Sequence, residues 1–501
     1  MEQYILCIDR GSTAVKAVLF DMQGKEVCVS KQKCPPIQNP HHGWSEQDMD
    51  NVWLQAAKAI RGITNQFNPK NITCIGVGGQ GGGAFLVDDN KKPVRNGILS
   101  LDYRSNAICE KWNKNIDLVA MLKKTGQFEF VPAQPLTILY WLKNEEPDSY
   151  KKIDKILFSK DWIRLCLTGE CATDYTDASG GGLIDIATNE YCYDLMEELN
   201  LTDAKRMLPN LKNSTDFAGA ITEQAAKETG LIPGTPVITG AHDIAACSVG
   251  VGGVSEGHLS IIVGTMGLNL AVESKPQTDY TLTFQGVVPG RWISSTCTYG
   301  AGSTLDWCIK TFFENETATE RERAEFYERL DSELQKRTPS SLLFYPYLFG
   351  NGAKLALGGL NGLGAWHDKY DMFLAAMQGV VYSDVLAMKQ LLASKNLTDI
   401  WLIGGWSQND SLCQLFANVL NKRIHKADVK EATSRGVALC VLQSLGVISS
   451  FDDAIVKEVP LQRIFEPEFN RVEWYEKHFK LFCDSEKEMQ KIWKEQHKLD
   501  Y

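Results

Sequence analysis

The sequence predicts an α/β protein made of two related domains, and three observations carry that expectation. At 501 residues the chain is too long for one ordinary core, because domains run to about 150 residues. Short apolar runs of strand type alternate with stretches of helical periodicity along the chain. A pattern of strand, small-residue turn and strand around Asp9–Lys16 returns about 250 residues later around Gly264–Gly267, as two related units would show it.

Composition narrows the class. Hydrophobic residues make up 44% and charged residues 23% of the chain, the balance of a soluble globular protein with a substantial interior. No window reaches about 18 uninterrupted apolar residues, so no membrane-spanning helix is expected. The N-terminal run Met-Glu-Gln-Tyr-Ile-Leu-Cys-Ile-Asp lacks a signal peptide's basic segment, and a cytoplasmic enzyme is expected. The 14 cysteines are scattered and none forms a C-x-x-C pair, which argues against a disulfide framework or a zinc site. A formal net charge of −10 argues against nucleic acid as partner. It leaves room for a bound nucleotide, since backbone N–H groups can bind phosphate without net positive charge.

Residues 4–9 read as a buried strand, 15–20 as its hairpin partner and Lys25–Lys31 as a third strand. Between the first two, Asp9-Arg-Gly-Ser-Thr-Ala-Val-Lys16 is either an ordinary polar hairpin or a phosphate turn. In the second case Ser12 and Thr13 donate to phosphate oxygens and Asp9 holds a metal ion through water. A helix is expected from Val52, after capping residues in Ser45–Asp50. His41 and His42 stand on a loop without ligand partners and receive no role. Strand Ile72–Val77 leads into Gly78-Gly-Gln-Gly-Gly-Gly83, either a mobile loop or a bare floor that a ligand can approach. Asp102 and Arg104 follow, as site residues or as a surface ion pair.

Pro135–Trp162 reads as helical with a stop at Glu145–Asp148, and Thr173–Gly182 as a polar loop serving as lid or linker. Strand Pro236–Thr239 delivers Asp243 to a place where a strand opens into a helix, a good seat for a general base. Strands Leu259–Val263 and Leu268–Val272 flank the Gly264–Gly267 turn, and Gly300–Trp307 turns into a helix. Glu314–Arg337 reads as an exposed helical region, Gly350–Gly364 as glycine-rich, and Asp371–Leu392 as a long helix. Strand Ile400–Ile403 ends in Gly404-Gly405 before a helix from about Leu412; this is a platform for a flat ring edged by Asn409, or a structural turn. Trp474–Lys498 is expected to form an amphipathic helix docked on the body.

Taken together these motifs resemble the FGGY family of carbohydrate kinases, of the actin-like ATPase superfamily. The resemblance rests on Asp9–Lys16, Ser159–Glu170, the Asp243 segment, Gly264-Thr265, Ala301-Gly302 and Gly404-Gly405, in the family's order. The most specific match is Gly358–Gln378, with Gly358, Leu360, Gly362, Leu363, Asp371, Met372, Ala375, Ala376, Met377 and Gln378 at the family's spacing. The resemblance implies two ribonuclease-H-like domains with an interdomain cleft, residues 1–245 mainly for sugar and 246–501 mainly for ATP. It implies Asp243 as the base and Asp9 as the residue positioning Mg²⁺. Ser12, Thr13, Lys16, Gly264 and Thr265 are then expected at the phosphates, and Gly302, Gly405 and Asn409 at the nucleoside. Gln80, Gly81, Gly82, Asp102, Arg104, His242 and Asp243 are expected at the sugar.

The departures from the family pattern bear on the sugar. Relatives that use glycerol carry an arginine and a glutamate in the segment matching Gln80–Gly83, and both are absent here. D-xylulose kinases present methionine and histidine where this chain has Gly81 and Gly82, and asparagine where it has Ile244. Ser100 and Leu101 replace the usual tryptophan and asparagine. With the Pro-Ala-Gln-Pro run at 132–135, the pattern is most similar to L-xylulose kinases. The expected activity is phosphorylation of a primary hydroxyl of a linear ketopentose such as L-xylulose. The alternatives are D-xylulose, ribulose or a polyol, or an ATPase without a sugar acceptor. A homodimer is expected from the family's habit, and closure of the cleft on sugar binding from the need to exclude water.

Overall fold

The structure is a computed structural model that describes residues 2–499 apart from 12, 278–281, 314–319, 351–354, 394–396, 454–455 and 457. Ser12, and the parts of the Glu314–Arg337 and Gly350–Gly364 segments at 314–319 and 351–354, therefore lie outside the described residues. The chain divides into two compact units. The first is Met1–Ser255, Val272–Ser294 and Glu431–Val459; the second is Glu256–Ala271, Ser295–Lys430 and Pro460–Tyr501.

In the first unit the expected hairpin forms. Strands Tyr4–Arg10 and Ala14–Asp21 pair antiparallel, and Glu26–Lys33 adds to the edge. On the other side Tyr4–Arg10 runs parallel to Ile72–Gly79, beyond which lie Pro236–Ile238 and Phe217–Ala220. Alternate residues of these strands point to opposite faces. Leu6, Ile8, Val15, Ala17 and Leu19 thus share one core with Val52, Ile60 and Ile63 of helix Met49–Thr64. That helix starts three residues before Val52, because the Asp48 side chain accepts the N–H of Asn51 and caps it there. The opposite face has little room: a Cβ on Gly76 or Gly78 would run into Val437 of helix Ala432–Ser444. A separate core lies in residues 84–208, around Trp112, Phe130, Leu139, Tyr150, Ile184 and Leu195.

Two expectations for this unit are corrected. Pro135–Trp162 is not continuously helical: helices Pro135–Glu145 and Pro147–Lys152 are followed by strand Lys155–Leu157 and a new helix, Ser159–Thr168. Thr173–Gly182 is neither lid nor linker, since it enters strand Ala172–Asp174 and helix Tyr175–Gly180, with Thr173, Asp174, Asp177 and Ser179 fully buried. Its polar residues serve an internal ion cluster rather than solvent, and polarity alone does not separate the two cases.

The second unit repeats the motif. Strands His258–Val263 and Gly267–Glu273 form an antiparallel hairpin, and the first of them runs parallel to Asp399–Ile403. Ile424–Ala427 and Leu461–Phe465 extend the sheet beyond. Helix Lys369–Ala387, capped by Asp368, ends at Met388 before a short turn of helix at Lys389–Ala393, so the expected Asp371–Leu392 helix is two pieces. The last long helix spans Phe469–Gln496, five residues longer at its start than expected. All 14 cysteines are free.

Candidate active site

The first unit gathers its candidate residues by strand register. Asp9 stands opposite Lys16 on one neighbour and Gly78 on the other, while Ala241 and His242 pair with Gly78 and Gly79. Asp243 is the first residue of helix Asp243–Gly250, as the sequence suggests. Its Oδ1 accepts the N–H of Ile244 at 2.7 Å, and 27% of its side chain stays exposed. Burial, and then the charge of Asp243, raise the Asp9 carboxyl to about 7; Lys16 and Arg10 pull the other way. Lys16 forms an ion pair with Glu431 at 2.6 Å, a partner more than 400 residues away that local sequence cannot reveal.

The glycine run is anchored to its neighbours. Gln80 is held on every side: its N–H donates to the Arg10 carbonyl, its Oε1 accepts from Arg10, its Nε2 donates to Ser100 Oγ, and its carbonyl accepts from Ser159 Oγ. Gly82 and Gly83 take φ of 69° and 73°, conformations that glycine adopts without strain. The Gly83 N–H donates to Ala133 O at 2.8 Å, which gives the Pro-Ala-Gln-Pro run a structural role. Asp102 and Arg104 are a buried pair, not a surface one. Both side chains are fully buried, with Asp102 Oδ1 2.8 Å from Arg104 Nε and Asp102 Oδ2 accepting from the Ser45 N–H. Arg104 also reaches Glu46 at 2.6 Å and lies over Trp44.

Behind the floor sits a buried ion cluster that sequence reading missed. Lys160 Nζ lies 2.7 Å from Asp161, 2.8 Å from Asp174 and 3.0 Å from Asp177, and Arg164 joins Asp161 at 2.8 Å. Burial opposes the charge on Lys160, yet the three carboxylates hold its ammonium well above the usual range. Burial pushes Asp177 well above the ordinary carboxyl value, against the pull of Lys160. The cluster reaches the candidate base through Asp174, which accepts from Thr176 Oγ1, itself the acceptor of the His242 backbone N–H.

In the second unit Gly264 and Gly404 follow neighbouring parallel strands whose residues Ile262 and Ile403 are in register. The Gly302 N–H donates to Gly264 O at 2.9 Å and the Ser303 N–H to Thr265 O at 3.1 Å. A Cβ on Gly302 would press on Gly264 O and on Trp406 Cδ1, so Gly264, Thr265, Gly302 and the Gly404-Gly405 turn are brought together. Thr265 and Gly405 are exposed there. Asn409 caps helix Asp410–Leu420 by accepting the Leu412 N–H, and its buried Nδ2 has no hydrogen-bond partner among the described residues. Asp306, which sequence reading passed over, accepts from Trp406 Nε1 at 3.1 Å and ties the helix after Gly302 to the turn after Gly404.

A hairpin motif present in each unit, a glycine turn beside a partly open carboxylate, and convergent glycine turns in the second unit are features of a sugar kinase. Residues 4–250 match the N-terminal domain of the FGGY family of carbohydrate kinases and residues 259–444 its C-terminal domain; the chain belongs to that family and is a sugar kinase. It is 30% identical over 460 residues to a probable L-xylulose kinase of Pasteurella multocida, covering 90% of this chain and 92% of that one. It is 28% identical over 496 residues to a xylulose kinase of Staphylococcus epidermidis, covering 96% of each. A ligand-bound xylulose kinase from Lactobacillus acidophilus superposes with a TM-score of 0.88 over 97% of this chain and 98% of that one; at 24% identity it shows the shared actin-like fold.

Proposed function

We propose that the chain transfers the γ-phosphoryl group of ATP to a primary hydroxyl of a linear ketopentose, best matched by L-xylulose, with Asp243 as general base. The observation that carries this is Asp243 itself: a partly open carboxylate at the start of a helix, beside a glycine floor and close enough to Asp9 for its charge to be felt there. Residues 1–245 carry mainly the sugar side, with Gln80, Gly81, Gly82 and His242 facing it and Asp102 and Arg104 holding the segment behind. Residues 246–501 carry mainly the ATP side, through Gly264, Thr265, Gly302, Gly405 and Asn409; Thr13 and Lys16 serve the phosphates from the first unit.

Phosphoryl transfer needs an acceptor oxygen in line with the γ-phosphorus and charge stabilisation on the equatorial oxygens. Asp243 takes the proton of the attacking hydroxyl, and the N–H groups of the glycine turns orient the phosphates. Asp9 suits Mg²⁺: it is a carboxyl whose ionised form is opposed by burial and by a neighbouring carboxylate, which a divalent cation relieves. No group of three or more ligand side chains occurs among the described residues, so Asp9 is the residue that would hold the ion. When bound, Mg²⁺ supplies charge neutralisation at the phosphates. The family's habit and composition support a cytoplasmic enzyme and a homodimer; no helix among the described residues is long and apolar enough to cross a membrane.

The L-xylulose and xylulose kinase names of the two relatives support ketopentose over polyol, and the bare Gly81–Gly82 floor favours the L-sugar. The test is coupled ADP detection over L- and D-xylulose, L- and D-ribulose, glycerol and xylitol. L-xylulose is expected to give the highest kcat/KM; a higher value with D-xylulose reverses the choice of sugar, and ADP formation independent of every sugar overturns the kinase reading.

A further inference from the structure

The imidazole of His242 occupies a slot between two glycines far apart in the chain. A Cβ on Gly81 would overlap its Nε2 and stand 2.7 Å from Cδ2, and one on Gly180 would stand 3.3 Å from Nδ1. Phe284 closes another side, with ring centroids 5.6 Å apart. Only 11% of the side chain is exposed, and its Nε2 is 3.3 Å from Asp243 Oδ1. Nδ1 is buried without a hydrogen-bond partner among the described residues. A proton on Nδ1 would bury an unpaired N–H, so the proton belongs on Nε2, the nitrogen beside the open carboxylate. Burial holds the ring's pKa below its ordinary value and keeps it neutral.

We infer that His242 is a specificity-determining residue of the sugar site: lodged in the space that a side chain at position 81 would fill, its ring donates Nε2–H to an oxygen of the same sugar whose hydroxyl Asp243 deprotonates. The inference rests on the sugar-kinase reading. It adds that a side chain at 81 and an imidazole at 242 are alternatives, because the slot holds one of them. This chain leaves its floor bare and reads the sugar from the wall that carries the base. A neutral N–H donor matches a hydroxyl or ketone oxygen, the chemistry of a polyhydroxy ketone.

The experiment compares five variants with the preferred ketopentose, reading sugar and ATP kinetics separately. His242→Phe keeps a ring against Phe284 but removes the donor, and kcat/KM for sugar is expected to fall about 10- to 100-fold with the KM for ATP unchanged. His242→Gln restores a donor of similar reach and recovers most of that loss. Gly81→Ala drives the ring aside and loses activity over the same range, whereas Gly81→Ala added to His242→Ala costs nothing further, since residues sharing one slot are not additive. His242→Phe equal to wild type, or Gly81→Ala and His242→Ala losses that simply multiply, overturns the inference. A wild-type protein without sugar-dependent ADP formation overturns the sugar-kinase reading instead, so the two failures are told apart.

Discussion

Asp243 shows how much a single position depends on its surroundings. As the first helical residue it has its Oδ1 tied to the next N–H, which fixes the carboxylate while leaving a quarter of it open. Burial and the charge of Asp243 push the nearby Asp9 carboxyl to about 7, as suits the proposed division of base and cation partner between the two. Asp243→Asn keeps the shape and removes the proposed base. It is expected to lower kcat by ~10²–10⁴ with little change in the KM for ATP. Turnover equal to wild type in the coupled assay would show that another group takes the proton.

At the scale of elements, helix Lys369–Ala387 meets the Gly267 hairpin through a buried carboxyl. Asp384 Oδ1 accepts from Asn269 Nδ2 at 2.9 Å and from Thr298 Oγ1 at 3.2 Å, while Oδ2 is buried with no partner among the described residues. Burial raises this carboxyl from 3.8 to about 6, against the pull of those two donors. The folded state therefore holds its proton more tightly than the unfolded chain, and stability falls as pH rises from the unfolded value through about 6. Asp384→Asn keeps the Oδ1 acceptor and removes the titration. It is expected to stabilise the protein at pH 7 by up to about 3 kcal/mol and by nothing near pH 4. Urea unfolding at both pH values measures this, and an equal gain at both would disprove the titration account.

The same scale shows what patterning can and cannot reveal. Both hairpins, strand Ile72–Gly79 and the strand-to-helix turn at Asp243 were legible, because alternating apolar residues ending in glycine turns have few other solutions. Thr173–Gly182 was not. A run of Thr, Asp, Ser and Gly looks solvated until Lys160 arrives from another helix to pair with Asp174 and Asp177. For Asp102 and Arg104 the sequence left a surface ion pair as one alternative; the pair is buried, with Arg104 lying over Trp44 and Trp141.

For the whole molecule, the helix that carries Asp243 is completed by a segment about 190 residues downstream. A Cβ on Gly250 would strike Ala432 O, and one on Gly436 would strike Ala246 O, so helices Asp243–Gly250 and Ala432–Ser444 meet backbone to backbone. Residues 1–255 alone would expose that face together with Gly76 and Gly78. Their expected behaviour is non-cooperative urea unfolding, with cooperativity restored when a peptide of residues 431–459 is added. A sharp transition for residues 1–255 alone would contradict it.

Sequence by itself determined the local periods, the glycine turns, the carboxylate at a helix start and the order of motifs that marks the family, because each is written within a few neighbouring residues. Tertiary structure decided the rest: Glu431 opposite Lys16, the imidazole of His242 lodged against Gly81 and Gly180, the neutralised cluster around Lys160, and the close meeting of Gly250 with Gly436. Those pairings depend on which distant surfaces have room for each other, and space between remote segments exists only once the chain has folded.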